Sequence, residues 1–577
     1  MSTTVRYILF ILISLLIFQG WAVVESRLYP PKPHPTASKS SAQGPSGAVG
    51  TSGTTAPGAP GTVTPPVAGT APGAPGGPTL APGPALPPEE LPGQSVVVST
   101  SLWKAEFAMR GGALASFTLE GRKEEARARP GAEREGVNLA TPDFGQPLPL
   151  ATDLVLPGDF GVDAIYKVAS KSDTELVLKR TRGGITVTKR FTWKPDSYSL
   201  QMQVQVEGAP SGTLAVKTYY TNYEPPEGER HFYTLSPRPD PRQAICYIKG
   251  ERSVERRAAS DHKPVETVPG APQFAGVDLK YFLAALAPGS DPAPSTCAIG
   301  SALKEGVGNS GEVTAILERT LTVSAGAPAT TTLELYLGPK EIDHLTAADH
   351  DFDKSVDLGF FGVIGRWIIL PILKTFQKLV SNWGVAIIML TILVKVATLP
   401  LTHHQMKSME VSRRLQPEVE KIKKKYAGDQ NRIQVETMKM YKENNHQPLA
   451  GCVPMLIQLP VWYALYATLG ASFELYNEPF IKGWINDLTA IDPYYITPVL
   501  MTATMFLTQL LTPQAAPQPP EMKTVTYVMP VFFGFLMLTL PSGLVLYIFT
   551  NNLLSIGQSL WFRRKFAQAP VDAGDKK

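Results

Sequence analysis

Hydrophobic and polar positions divide the 577 residues into stretches of unlike pattern. Near the N-terminus Arg6 precedes eighteen largely apolar residues, Tyr7 to Val24. As a helix they rise about 27 Å, enough to cross a bilayer. The apolar core is long for a signal peptide and no A-x-A-like site follows, so residues 1–26 are expected to be an uncleaved anchor. Residues 27–94 are mostly Pro, Gly, Ala, Thr and Ser, with no aromatic residue between Tyr29 and Trp103. Such a segment cannot offset the entropy of ordering and reads as a semi-stiff, disordered linker.

From 95 to 350 the period becomes two. In "SYSLQMQVQVEG", Leu200, Met202, Val204 and Val206 share one face and Gln201, Gln203 and Gln205 the other, the signature of a half-buried strand. Several such runs separated by turn signals predict one large antiparallel β-sandwich rather than a βαβ protein. No P-loop, GxSxG elbow or HExxH occurs in it, and His231, His262, His344 and His350 are scattered.

Residues 355–380 interleave Phe361, Ile364, Trp367, Ile368, Ile372, Phe376 and Leu379 with Arg366, Lys374, Gln377 and Lys378, interrupted at Pro371. The pattern predicts an amphipathic helix along a membrane surface, the other reading being a helix packed on the β domain. Five candidate crossings follow, at about 381–402, 449–470, 492–511, 525–540 and 543–562. With the anchor they make six. Between the first two, segment 403–447 carries ten Lys and Arg against six Asp and Glu, whereas 471–491 carries only Lys482. The excess of cations assigns 403–447 to the cytoplasm. Counting from there sets the β domain outside, and both termini inside, including a tail at 566–577. The hairpin itself reads as two helices joined at "YAGDQN", with Leu415, Val419, Ile422 and Tyr426 lining one arm and Ile433, Thr437, Met440 and Tyr441 the other. It is either an inert solvated hairpin or a charged surface for lipid headgroups, ribosomal RNA or a nascent chain.

The crossings contain polar groups: Thr391, Lys395 and Thr398; Gln458; Thr502, Thr504, Thr508 and Gln509; Thr550, Asn551, Asn552 and Gln558. Some are expected to be interhelical glue. Lys395, in "MLTILVKVATLPL", is the costly one, at about 2.5–3.5 kcal/mol for a cation at the bilayer centre. It lies eight residues, about 12 Å of rise, before His403, so it either snorkels to the surface or faces a hydrated groove open to the cytoplasm. Thr391 falls on its face of the helix.

Charge and cysteines narrow the picture little. A net charge of +4 gives no reason to expect a nucleic-acid binder, and no DNA partner is expected. Three cysteines form no disulfide framework; Cys246 and Cys297 either pair, if their segment is exported, or stay free. No metal site, cofactor or catalytic residue is expected.

The segments "NWGVAIIMLTILVKVATLPLT", "LQPEVEKIKKKY", "QPLAGCVPMLIQLPVWYALY", "DPYYITPVLMTATMF" and "LPSGLVLYIFTNN", in that order, resemble the YidC/Oxa/Alb family of membrane protein insertases. The layout of one anchor and a large external domain is similar to that of YidC from Gram-negative bacteria. The resemblance covers about 355–565 and reaches the β region by architecture only. It implies a multi-domain protein of the bacterial inner membrane, an α-helical polytopic bundle of six transmembrane helices, five of them forming an insertase core at 381–565, plus a periplasmic β-supersandwich related to carbohydrate-active folds. It implies insertion and assembly of nascent membrane proteins without enzymatic activity, alone or beside the Sec translocon, SecYEG and SecDF. The family's groove carries a positive residue, usually arginine, at the position of Lys395, and groove positions at Thr391 and at Tyr547 with Ile548. Gln458 and Asn551 complete the expected groove. Arg413, Arg414, Lys423, Lys424, Lys425, Arg563, Arg564 and Lys565 are the expected capture and ribosome-contact residues, with membrane lipids as further partners. Two other classes compete: a transporter, against which no internal repeat is found, and a tethered sugar-binding sandwich.

Overall fold

The computed structural model describes residues 95–121, 136–142, 146–224, 242–251, 253–303, 311–444, 453–511 and 520–567, without the side chains of 453–459, 520–527, 563 and 565–567. The expected anchor at 1–26, the linker at 27–94 and His231 lie outside the described residues, as does most of the 566–577 tail.

The strands are β1 (Ser95–Ser99), β2 (Trp103–Ala108), β3 (Ala113–Leu119), β4 (Thr152–Leu154), β5 (Lys167–Lys171), β6 (Glu175–Arg182), β7 (Ile185–Trp193), β8 (Ser199–Glu207), β9 (Gly212–Glu224), β10 (Gln243–Ile248), β11 (Glu255–Ala258), β12 (Glu266–Val268), β13 (Pro272–Asp278), β14 (Phe282–Pro288), β15 (Ser295–Leu303), β16 (Gly311–Val323) and β17 (Ala329–Pro339). They form a nine-stranded sheet ordered β11-β10-β13-β14-β17-β8-β7-β6-β5, a five-stranded sheet β12-β15-β16-β9-β4 and a three-stranded sheet β1-β2-β3. Ladders run antiparallel, as β7 with β8 and β16 with β9. The β6–β7 hairpin turns on Gly183 and Gly184, both at positive φ, which the two-residue turn matching strand twist requires. On β8, Leu200, Met202, Val204 and Val206 are buried, the face expected from their alternation.

Cys246 on β10 and Cys297 on β15 are joined by a disulfide, Cα atoms 6.5 Å apart, which staples the nine-stranded sheet to the five-stranded one. The open choice between paired and free thiols is thereby resolved. Lys189 on β7 is fully buried and donates to the carbonyls of Gly111, Gly112 and Leu150, beneath the Tyr166 ring. Burial pushes its ammonium well below the ordinary 10.5.

The helices are α1 (Ile342–Ala347), α2 (Leu370–Val380), α3 (Trp383–Ala397), α4 (Leu399–Lys425), α5 (Gln430–Glu443), α6 (Val453–Ala471), α7 (Ile496–Leu511), α8 (Pro520–Met537) and α9 (Ser542–Ala567). A helical turn at Gly362–Ile364 and a π-helix at Gly365–Ile369 lead into α2. The π turn is how the chain passes Pro371, whose ring would crowd the Trp367 carbonyl in a regular helix. Ile369, just before α2, and Leu373 within it are buried in the helical core, while Trp367, Ile368 and Leu379 stay exposed. The segment therefore packs on the helices and keeps an outer apolar edge.

Among the described residues no single helix is long and apolar enough to cross a membrane; α3 and α4 pass that test only together, bent by 59°. The expected crossing at 381–402 is thus broken at Thr398, where Pro400 lacks an N–H and crowds the carbonyl of Val396. The break shortens the expected depth of Lys395. Three residues along α3 and five at 59° give about 8 Å to His403 along the α3 axis, not about 12 Å. The helix at the expected 492–511 crossing starts later, at Ile496, because Asp492 is spent as a cap, accepting from the Thr497 backbone and hydroxyl at 2.7 Å each.

The β domain is seated on the helices through residues 473–476. Phe473 and Tyr476 are buried in the β domain's own core, with ring centroids 5.5 Å from Phe282 and 4.9 Å from Tyr281, and the Tyr281 hydroxyl donates to the Gly470 carbonyl. Beside them Lys374 pairs with Asp343 at 2.9 Å and with buried Glu474 at 3.1 Å. Desolvation raises the Glu474 carboxyl above its ordinary 4.5 despite Lys374. A folded value above the unfolded one means that the contribution to stability is full below 4.5 and is lost as pH rises through the folded value. Glu474→Gln removes this dependence. The wild-type minus variant difference in Tm, measured in detergent, is expected to fall as pH rises above 4.5; a difference that stays flat or rises would refute the assignment.

Candidate functional site

Asn382 starts α3 by capping it, its side-chain oxygen accepting from Val385 N at 3.0 Å, and its amide donates to the Phe480 carbonyl. The same 477–495 segment closes over the start of α9: Ser542 N donates to Ala490 O and Gly543 N to Leu488 O, both at 2.7 Å. Gly384 lies against Phe480 so closely that a Cβ would stand 2.1 Å from its ring. One end of the α3–α9 pair is therefore tied through this segment, by the Asn382 side-chain amide at α3 and by backbone hydrogen bonds at α9. About 18 Å of rise separates Trp383 from Lys395 at the other end.

There Lys395 is half-buried and its Nζ donates to Ser555 Oγ of α9 at 2.8 Å. The Ser555 hydroxyl in turn donates to the Asn551 carbonyl at 2.8 Å. Among the described residues no carboxylate pairs with this ammonium. Two of its three N–H bonds remain for water or a bound chain.

The other expected groove residues divide. Asn551 and Ile548 are half-buried on α9, one and two turns before Ser555. Tyr547 is buried in the helical core with Ile387 and Leu390. Thr391 is buried too, its hydroxyl donating to the Ile387 carbonyl at 2.7 Å within its own helix. Such back-bonding leaves it no hydroxyl proton for a partner on another helix. Gln458 is on α6, and its side chain is outside the described residues. Ser555 joins them, and the signal that could have found it is its place four residues after Asn551, on the same face of a helix.

α4 and α5 form a helical hairpin, the first arm starting at Leu399. Asp429 caps α5 after Gly428, at positive φ, while Val419 and Met440 are buried. Arg413 and Arg414 both pair with Glu410, at 3.1 and 3.3 Å, so part of their charge is balanced on their own arm. Lys423, Lys424 and Lys425 are exposed, with Lys425 also over the Tyr426 ring at 5.2 Å. Arg564 is exposed; the side chains of Arg563 and Lys565 are outside the described residues.

Two family models match in tandem: "YidC periplasmic domain" over residues 95–371 and "60Kd inner membrane protein" over 375–569. The membrane protein insertase YidC of Anaeromyxobacter sp. strain Fw109-5 is 34% identical over 502 residues, 85% of this chain and 88% of its own. That of Nitratidesulfovibrio vulgaris strain DP4 is 33% identical over 582 residues, 97% of this chain and 99% of its own. A solved structure of an active YidC insertase with its first transmembrane domain resolved is 19% identical and covers 81% of this chain and 92% of its own, but its TM-score of 0.35 bears no weight on the fold. On identity sustained over nearly its whole length, the chain belongs to the YidC family of membrane protein insertases.

Proposed function

We propose that the chain works as an insertase of the bacterial inner membrane, moving apolar segments of nascent membrane proteins from the cytoplasm into lipid through a hydrated groove around Lys395. The observation that carries this reading is the half-buried Lys395 ammonium, held by one neutral hydroxyl with no carboxylate against it among the described residues. An unneutralised cation at membrane depth persists only where water or a polar ligand reaches it. It attracts the polar, often acidic, outer segment of a short substrate and lowers the cost of drawing it partway across. The apolar substrate helix then partitions into lipid beside α3 and α7, driven by hydrophobic transfer. Exposed Val499 and Leu510 on α7 and Val531, Phe532 and Phe535 on α8 suit a lipid-facing flank.

In this reading the chain crosses the membrane six times, both termini are cytoplasmic and the β domain is periplasmic. Exposed Lys423, Lys424 and Lys425 capture the nascent chain or meet headgroups, and Arg563, Arg564 and Lys565 hold a ribosome. The Sec translocon, SecYEG with SecDF, is a partner for larger substrates. The family is one of insertases, so no enzymatic step is invoked.

Photo-crosslinking from probes at Thr391, Gln458 and Ile548 to a stalled nascent chain of a short membrane protein tests the reading. Crosslinks are expected from Ile548 and Gln458 and weakly from buried Thr391. Crosslinks from lipid-facing Val531 alone would return Lys395 to simple snorkelling.

A further inference from the structure

We infer that Ser555 is a positioning residue for the Lys395 charge, holding the ammonium within the groove without neutralising it; the inference rests on the insertase reading above. Lys395 sits in the last turn of α3, three residues before the chain bends by 59° at Thr398. With about 8 Å left to His403, a flexible lysine stem has a short route to the headgroups. What opposes that route is the hydrogen bond to Ser555 across the helix pair.

The direction of this bond is fixed by chemistry. Ser555 donates its only proton to the Asn551 carbonyl, so the lone pairs of its oxygen are what remains for Lys395, and an ammonium has donors alone. A carboxylate at this position would also hold the lysine but would cancel its charge. A hydroxyl orients it and leaves the charge available to a substrate.

The surroundings point the same way. Ile548, Asn551, Asn552 and Ser555 are spaced three and four apart and share one face of α9, the face that meets Lys395. On that face the Asn552 side-chain nitrogen is buried and has no hydrogen-bond partner. An amide left unpaired in a buried setting costs about 1–3 kcal/mol. Ser555 thus stands in a cluster with an unmet donor, as a site completed by a peptide carbonyl or carboxylate would have.

The test uses the full chain in proteoliposomes and two substrates that share an apolar segment but carry an acidic or a neutral outer segment. Ser555→Ala is expected to lower the acidic-to-neutral insertion ratio about three- to tenfold, the range for one lost interhelical hydrogen bond. Ser555→Thr, which keeps both the acceptor and the back-bond, is expected to restore the ratio. Adding Ser555→Ala to Lys395→Ala is expected to change nothing further. An unchanged ratio in Ser555→Ala, or an equal loss for both substrates, overturns the positioning role. If Lys395→Ala itself leaves the ratio unchanged, the groove reading fails; if only Ser555→Ala does, the failure is confined to this inference.

Discussion

Lys395→Glu is expected to cut insertion of substrates with acidic outer segments by more than tenfold, while Lys395→Arg retains most of it. The size follows from a sign change. Two unit charges about 6 Å apart at an effective dielectric of about 20 interact by about 3 kcal/mol. Lys395→Ala forfeits that attraction, and Lys395→Glu replaces it with repulsion of similar magnitude. Part is screened by the water that reaches a half-buried site, yet about 1.4 kcal/mol suffices for a factor of ten. Arginine keeps the charge and spreads it over a planar fork of donors. The measurement is protease protection of the translocated segment in vesicles, with a neutral-tailed substrate as reference. Equal insertion by wild type and the glutamate variant would remove the electrostatic part of the mechanism.

Loss of the Cys246–Cys297 disulfide is expected to destabilise the β domain by about 4 kcal/mol, from the chain entropy of closing a loop between residues 51 apart. The bond joins two sheets rather than neighbouring strands, so its removal frees β10 from β15 across the core. Both cysteines are buried and the gap left by a Cys-to-Ala double variant is small, so packing alone does not account for such a loss. Denaturation in detergent of full-length chains whose other six tryptophans are replaced by phenylalanine, with and without the disulfide, followed by fluorescence of the Trp103–Trp193 pair in the β core, reads it. A midpoint that does not move in the Cys246→Ala/Cys297→Ala variant would show that the staple contributes nothing. A bond of this kind also suits an oxidising compartment, as the proposed periplasmic side provides.

Much of the architecture was legible in local patterns because it depends on local chemistry. The alternation on β8 and the turn at "YAGDQN" between the hairpin arms each need only a few consecutive residues to be right. Lys395 was legible as an anomaly for the same reason, a cation in an apolar run. Its partner was not: Ser555 is 160 residues away and is an ordinary serine until α3 and α9 are laid side by side. Thr391 shows the converse, since its spacing from Lys395 is right for a shared face, yet its hydroxyl turns back onto Ile387.

The sequence by itself determined the β-then-helix order, the charged hairpin and the family, all of which rest on periodicity, composition and ordered motifs. Only the tertiary structure decided which polar groups meet. Lys189 occupies an inward strand position that alternation would reserve for an apolar residue, and it is tolerable there because Gly111, Gly112 and Leu150, from distant turns, aim their carbonyls at it. Cys246 and Cys297 pair because two sheets bring their Cα atoms to 6.5 Å. Phe473 and Tyr476 belong to the β core only because the 473–476 turn is pressed against Tyr281 and Phe282. Hydrogen bonds and packing act over a few ångströms in space, and a linear pattern carries no distance between residues far apart along the chain.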